Sequence, residues 1–169
     1  MVDFALRQAC LADEDDILRL NAASVAETSP MDSVRFRALF GMSTQTIVAE
    51  QDSGVVGFLM GFGDGSAYDS VNYRWFKDRL KRFFYIDRIV VLESARGSGI
   101  GRVFYSHIES WAQDAGLHWL AAEMNLEPVN TASLTFHSKL GFVPVGTQAL
   151  EGGKVVSMQI RALQADNAR

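Results

Sequence analysis

The chain has 169 residues, 48% of them hydrophobic, and its 16 Lys and Arg stand against 20 Asp and Glu. That mix suits one folded domain over residues 1–169 and excludes a disordered chain, while a net charge of −4 argues against a nucleic-acid binder. Cys10 is the only cysteine, which excludes an internal disulfide and a cysteine zinc site.

Phe4 to Ala9 alternates apolar and polar residues, as a half-buried strand does. Asp13 to Asp16 then lead into Ile17, Leu18 and Leu20; acids in a first turn suit the positive end of a helix. Pro30 and Gly41 bracket a second helical stretch with Phe36, Leu39 and Phe40. Thr46 to Glu50 and Val55 to Phe62 predict two strands joined as a hairpin across Gln51-Asp52-Ser53-Gly54. The apolar run from Gly54 to Gly63 is far too short to cross a membrane. Gly63 to Phe83 fits no single element, is rich in aromatics, and has some helical character near Tyr73 to Leu80. Phe84 to Leu92 is β-branched enough for a central strand. Helical spacing runs from Ile100 to Ala115 with Gly116 as a stop, and a strand follows over His118 to Met124. Thr131 to Leu140 reads as a helix closed by Gly141. Phe142 to Leu150 and Val155 to Ile160 read as a hairpin, and a polar tail runs to Arg169. No basic-then-apolar leader opens the sequence, so a cytoplasmic location is the expectation. The element order β-α-α-β-β-β-α-β-α-β-β predicts a mixed α/β domain.

The most informative stretch is Arg96-Gly97-Ser98-Gly99-Ile100-Gly101, placed between a buried strand and an amphipathic helix. Glycines there let backbone N–H groups converge without Cβ atoms in the way, and the helix end adds donors and partial positive charge. That is a phosphate cradle; the alternative is a tight turn with no ligand. A P-loop is excluded because Gly-Lys-Ser/Thr is missing. A dinucleotide fingerprint has Arg102 where its third glycine belongs, and several strands precede it.

The segment resembles the Arg/Gln-x-x-Gly-x-Gly/Ala signature of the GNAT superfamily of acyl-CoA-dependent N-acyltransferases. Val91 falls where that pattern has Val, and Asn130-Thr131-Ala132-Ser133 through Phe136-His137-Ser138-Lys139-Leu140-Gly141-Phe142 looks like the family's Asn-x-x-Ala…Tyr-x-x-Lys-Leu-Gly-Phe helix. Three positions depart from the pattern: Glu93 for Pro, Ser133 for Ala, and His137 for Tyr. The resemblance implies a mainly antiparallel sheet whose central strands splay apart, flanked by about four helices. It also implies acetyl transfer from acetyl-CoA to an amine by direct, ternary-complex transfer. The acceptor is open among a small molecule, an amino acid and a peptide N-terminus. By the same resemblance, Gly97, Ser98, Gly99, Ile100, Gly101 and Arg102 would hold the pyrophosphate, with Arg96 adding charge. Ile89, Val90 and Val91 would carry the pantetheine arm through the main chain, and Asn130, Ser133 and Phe136 would flank it.

Transfer needs a base for the amine and an acid, or tolerance of charge, for the thiolate. Asp87 stands at even spacing from Ile89 and Val91, so strict alternation puts all three on one face; its alternative role is a partner for Arg88. Glu123 ends the neighbouring strand, where burial would raise its pKa into the useful range. His137 is the candidate acid, with Tyr85 as the alternative. Tyr68, Asn72, Tyr73 and Trp75 are candidate acceptor-binding residues from the Gly63 to Phe83 segment; packing over the sheet edge is their other reading. The basic stretch Arg74, Lys77, Arg79, Lys81, Arg82 and Arg88 would draw an acidic acceptor or the 3′-phosphate, or is a solvated face. His107 and His118 share no ligand spacing, so no metal is expected. No nucleic-acid or membrane partner is expected, and a homodimer is left open. The rival reading is a catalytically silent acyl-CoA-binding sensor.

Overall fold

The apolar runs resolve into seven strands and five α-helices in a computed structural model that describes residues 3–26 and 28–163. The polar-tail reading covers residues 164–169, which lie outside the described residues. In chain order the elements are β1 (Ala5–Gln8), α1 (Glu14–Ala23), α2 (Ser33–Met42), β2 (Gln45–Gln51), β3 (Gly54–Gly63) and α3 (Val71–Lys77). They continue as β4 (Phe83–Val91), α4 (Ile100–Asp114), β5 (Trp119–Glu127), α5 (Thr131–Lys139), β6 (Val143–Ala149) and β7 (Val155–Ala162). The predicted elements are all present, shifted by one to three residues at their ends. The addition is α3, a compact helix inside the Gly63 to Phe83 segment, capped where Ser70 Oγ accepts from the Tyr73 N–H at 3.3 Å.

The strands form one sheet in the order β1-β2-β3-β4-β5-β7-β6. Every pairing is antiparallel except β4 with β5, which run parallel for only three residue pairs, Phe83 to Tyr85 against Trp119 to Ala121. Beyond Tyr85 the two strands have no ladder, so the sheet opens at its centre.

Each face of the sheet is covered. On one face Ile17 and Leu20 of α1, Phe36 and Leu39 of α2, and Tyr73 and Phe76 of α3 pack on Phe58, Met60, Tyr85 and Met158. On the other, Ile100, Phe104 and Ile108 of α4, with Leu134 and Phe136 of α5, pack on Leu59, Phe84, Ile86 and Leu120. A fully buried side chain of this kind stabilises by about 1.5–3 kcal/mol. The apolar stripes of all five helices are therefore spent on the sheet, and the central opening is left between two well-anchored halves.

Strand β4 breaks its own alternation. Its register against β3 slips by one residue, from Met60↔Arg88 to Gly61↔Ile86, so Asp87 is an extra, unpaired residue. Such a bulge turns two consecutive side chains to one face. Asp87 and Arg88 both point to the α1–α3 face, whereas Ile89 and Val91 pack under α4. The strict alternation that put Asp87, Ile89 and Val91 on one face is thus corrected by the bulge.

Candidate active site

The opening between β4 and β5 is a cleft of about 500 Å³ that reaches the loop before α4 and the start of α5. Leu92 donates its N–H to the Val56 carbonyl at 2.8 Å, which fixes the phase of the β3–β4 ladder. In an antiparallel pair, alternate residues turn their backbone groups to opposite edges, so Val90 faces β3 while Ile89 and Val91 present theirs to the cleft. All three residues line it.

The loop after β4 turns at Gly97 (φ 79°) and Gly99 (φ 91°), conformations that a Cβ would strain. Gly99 is the N-cap of α4, and the first N–H to bond back into the helix is that of Val103, onto Gly99 O at 3.1 Å. Among the described residues no acceptor is found for the N–H groups from Gly97 to Arg102, as expected for the first turn of a helix with no side-chain cap. They converge at the positive end of a fifteen-residue helix. Arg96, Gly97, Gly99, Ile100, Gly101 and Arg102 border the cleft. Ser98 does not, because its Oγ donates to the Ala95 carbonyl at 2.6 Å and steadies the turn. Arg96 Nε donates to the Val91 carbonyl at 3.3 Å, tying the loop back to the strand.

Asn130 caps α5, its Oδ1 accepting from the Ser133 N–H at 3.0 Å, and this commits the oxygen and leaves Nδ2 for another partner. Phe136 packs against Gly101, where a Cβ would stand 3.1 Å from its ring. Asn130, Ser133 and Phe136 border the cleft.

The two carboxylates stand on the other side of the sheet, bridged by one phenol. Tyr85 Oη donates to Glu123 Oε1 at 2.9 Å and lies 3.4 Å from Asp87 Oδ1. Asp87 accepts from Tyr68 Oη at 2.8 Å and pairs with Arg88 Nε at 2.7 Å, both partners being over nine-tenths buried. A buried charge survives only when paired and hydrogen-bonded, and Asp87 is both. Arg88 also donates to Asn21 Oδ1 at 2.9 Å and to the Ser29 carbonyl at 3.2 Å, which anchors the connection between α1 and α2.

Glu123 is held differently. Its Oε1 accepts from Tyr85 and from Asn72 Nδ2 at 3.1 Å, while its Oε2 is closed to solvent and has no hydrogen-bond partner among the described residues. Burial, with the charge of Asp87 adding to it, pushes the Glu123 carboxyl up to about 7, against the pull of the Tyr85 and Asn72 hydrogen bonds. Two carboxylates in one network with such unlike surroundings is the arrangement from which acid–base roles separate.

His137 sits among the rings of Tyr105, Phe136 and Phe142. Its Nδ1 is 2.8 Å from the Ser133 carbonyl, which can only accept, so Nδ1 carries the proton; Nε2 then accepts from Tyr105 Oη at 2.6 Å. Burial holds the imidazole below its ordinary value. With both nitrogens engaged in the neutral ring, the acid role expected of His137 lacks a free proton. Nothing in the local sequence pairs His137 with Tyr105, which lies on α4.

The expected acceptor residues pack into the protein rather than around the cleft. Tyr73 is fully buried and donates to the Gly63 carbonyl at 2.6 Å; Tyr68 stacks on Phe62 with centroids 4.2 Å apart. Trp75 lies against Gly146, with the Arg79 guanidinium 4.0 Å above its ring. Asn72 bonds Glu123 on one side and Gln148 on the other. The residues that border the cleft on this face are instead Ser24, Thr28 and Asn125. The buried polar Asn21, among the apolar positions Ile17 and Leu20 of α1, was the one readable sign of a site there. Within the basic stretch, Lys77 bonds the Ser66 carbonyl and Arg79 covers Trp75, so only Arg88 joins the cleft.

Among the described residues no group of three or more His, Cys, Asp or Glu could hold a metal ion, and no helix is long and apolar enough to cross a membrane. Residues 13–142 match the model of a family described as "Acetyltransferase (GNAT) family". Among solved structures, Ard1 from Thermoplasma volcanium superposes with a TM-score of 0.78 at 16% identity, covering 95% of this chain and 98% of that one. The ribosomal-protein-S18-alanine N-acetyltransferase from Escherichia coli gives 0.72 at 12% identity, with 99% of both chains covered. YncA from Salmonella typhimurium, solved with its cofactor acetyl-CoA, gives 0.71 at 20% identity, covering 99% of this chain and 98% of that one. No curated protein matches the chain in sequence.

Proposed function

The chain belongs to the acetyltransferase (GNAT) family, whose members use acetyl-CoA, and from that premise we propose a direct transfer of the acetyl group to an amine held in the same cleft. One observation carries this reading. A run of main-chain N–H groups with no acceptor among the described residues and a carboxyl raised to about 7 stand at the two sides of a single gap in the sheet.

Bound acetyl-CoA supplies an acyl group activated as a thioester. Gly97 to Arg102 grip its pyrophosphate with main-chain N–H groups, reinforced by the charge of Arg96. Ile89 and Val91 bond the pantetheine amides as an added strand would, and Asn130 Nδ2 and the Phe136 ring flank that arm. The Val91 N–H, aimed into the gap, polarises the thioester carbonyl. Glu123 takes the proton: the amine N–H bond breaks, an O–H bond forms on the carboxylate, and the amine lone pair becomes the new N–C bond. The C–S bond would break with its electron pair on sulfur, and the thiolate would leave as CoA, taking its proton from solvent. Asp87, fixed by Arg88 and Tyr68, contributes a standing negative charge that keeps Glu123 basic and attracts a cationic amine. We assign His137 to packing and to the Tyr105 hydroxyl rather than to acid catalysis.

The acceptor is a small amine, an amino acid or a peptide N-terminus, and residues 1–169 form one such catalytic domain. The reading is tested by thiol release from acetyl-CoA across a panel of these three amine classes. Turnover with intersecting initial-velocity lines and no acetylated protein by mass spectrometry is the expected result. Stabilisation by CoA without turnover on any class would instead support the silent sensor, and stabilisation by NAD alone would overturn both.

A further inference from the structure

One chain of hydrogen bonds is left unused by the transfer chemistry, and it ends on Glu123. Gln148 Nε2, on β6, donates to Asn72 Oδ1 on α3 at 2.7 Å, and Asn72 Nδ2 donates on to Glu123 Oε1 on β5 at 3.1 Å. An amide has one oxygen and one nitrogen end, so a donor at its oxygen forces its N–H₂ toward the other partner. Gln148 therefore sets which way Asn72 faces. Tyr85 Oη supplies the second donor to the same oxygen at 2.9 Å. Oε1 is thus saturated while Oε2, equally buried, has none.

We propose that Asn72, oriented by Gln148 and acting with Tyr85, is a positioning residue that saturates Glu123 Oε1, fixes the orientation of the carboxyl and leaves Oε2 as its only unbonded oxygen among the described residues. This rests on the reading of Glu123 as the base. The relay explains why a helix forms in the aromatic segment before β4. Helix α3 carries Asn72 to the sheet between β5 and β6, with Trp75 seated on Gly146 of β6 and with Tyr73 and Phe76 buried beneath. Ionisable groups facing Glu123 are Tyr85, Asp87 and Arg88 on β4, Tyr68 before α3, Tyr105 on α4 and, across the cleft, His137 on α5. From α3 and β7 it meets Asn72 and its register partner Met158, with Gln148 of β6 one hydrogen bond further out.

Hydrogen bonds to a carboxylate favour its charged form, so losing the Asn72 donor raises the pH at which Glu123 ionises. The test is a ¹³C NMR titration of the full chain labelled at glutamate carboxyl carbons, with Glu123 assigned by its loss in Glu123→Gln. The wild-type midpoint is expected near 7. Asn72→Leu moves it upward by about one pH unit, and Gln148→Leu moves it the same way by less, because the Asn72 amide is then free to turn. Gln148 is half-buried, so its variant keeps the test alive if Asn72→Leu does not fold. A midpoint unmoved in the folded variants overturns the relay, whether or not the wild-type chain transfers acetyl groups. Shifted midpoints in a chain that transfers nothing support the relay and overturn only the assignment of Glu123 as the base of transfer.

Discussion

The two halves of the cleft are built from different materials. On the α4 side the proposed binding groups are main-chain N–H donors of the stretch Gly97 to Arg102, whose conformation is set by two left-handed glycines and a helix start. On the α3 side they are side chains, drawn from β4, β5, β6 and α3, and held by hydrogen bonds between residues 38 to 76 positions apart. The first construction needs only local conformation and so tolerates side-chain change. The second needs several tertiary contacts at once, and losing one member disturbs its neighbours.

The strongest way to break this contrast is to remove the base. Glu123→Gln should lower kcat by about 100- to 10,000-fold, the span of general-base contributions, while calorimetry finds CoA affinity within about threefold of wild type. Equal losses in both would mean that the two sides are not separable. The same variant sharpens the contrast through stability. The Glu123 carboxyl lies at about 7 in the folded chain against an ordinary 4.5, so its charge is disfavoured by folding. Wild-type stability from this group is complete below pH 4.5 and is lost as pH rises through 7. Relative to pH 4.5, Glu123→Gln should therefore gain about 3 kcal/mol at pH 8 in urea unfolding. A flat difference between the two pH values would contradict the raised carboxyl.

On the backbone side, Gly99→Asp should weaken CoA binding by about 100-fold, since it sets a carboxylate in the cradle and strains a left-handed position. Gly99→Ala, carrying only the strain, should lose less, and calorimetry on the pair separates charge from conformation. The smallest expected effect tests His137. His137→Phe leaves the Tyr105 hydroxyl buried without its acceptor and should cost about 1–2 kcal/mol in denaturant unfolding. Its kcat should stay within twofold; a hundredfold fall at unchanged CoA affinity would restore His137 as the acid.

What could be read in advance follows the same division. Val91 to Gly101 is one contiguous stretch, so its turn, its helix start and its free donors were all legible from residue types and spacing. Asp87 was recognised as an unusual charge in a buried strand, but its face was misread, because a bulge is settled by pairing with Met60 and Gly61 rather than by β4 itself. The aromatics of Gly63 to Phe83 carry two readings in the sequence, an acceptor wall and packing over the sheet edge. Flat apolar rings suit a core as well as a ligand, and only the burial of Tyr73 and Phe76 separates the two. His137 could be matched to a motif, yet its chemistry depends on Tyr105, 32 positions away.

The extra residue at position 87 has a consequence beyond its own side chain. On the proposed reading the nine residues of β4 would serve two opposed tasks: the half after the slip would lend its edge to a long flexible thioester, and the half before it would face the proton traffic. With strict two-residue periodicity, one of these would turn its back on the reaction. A single unmatched position lets one rod speak to both sides of a wall: forcing the same nine residues into unbroken alternation would exchange inside for outside downstream, whereas deleting Asp87 would keep both faces and lose only its carboxylate.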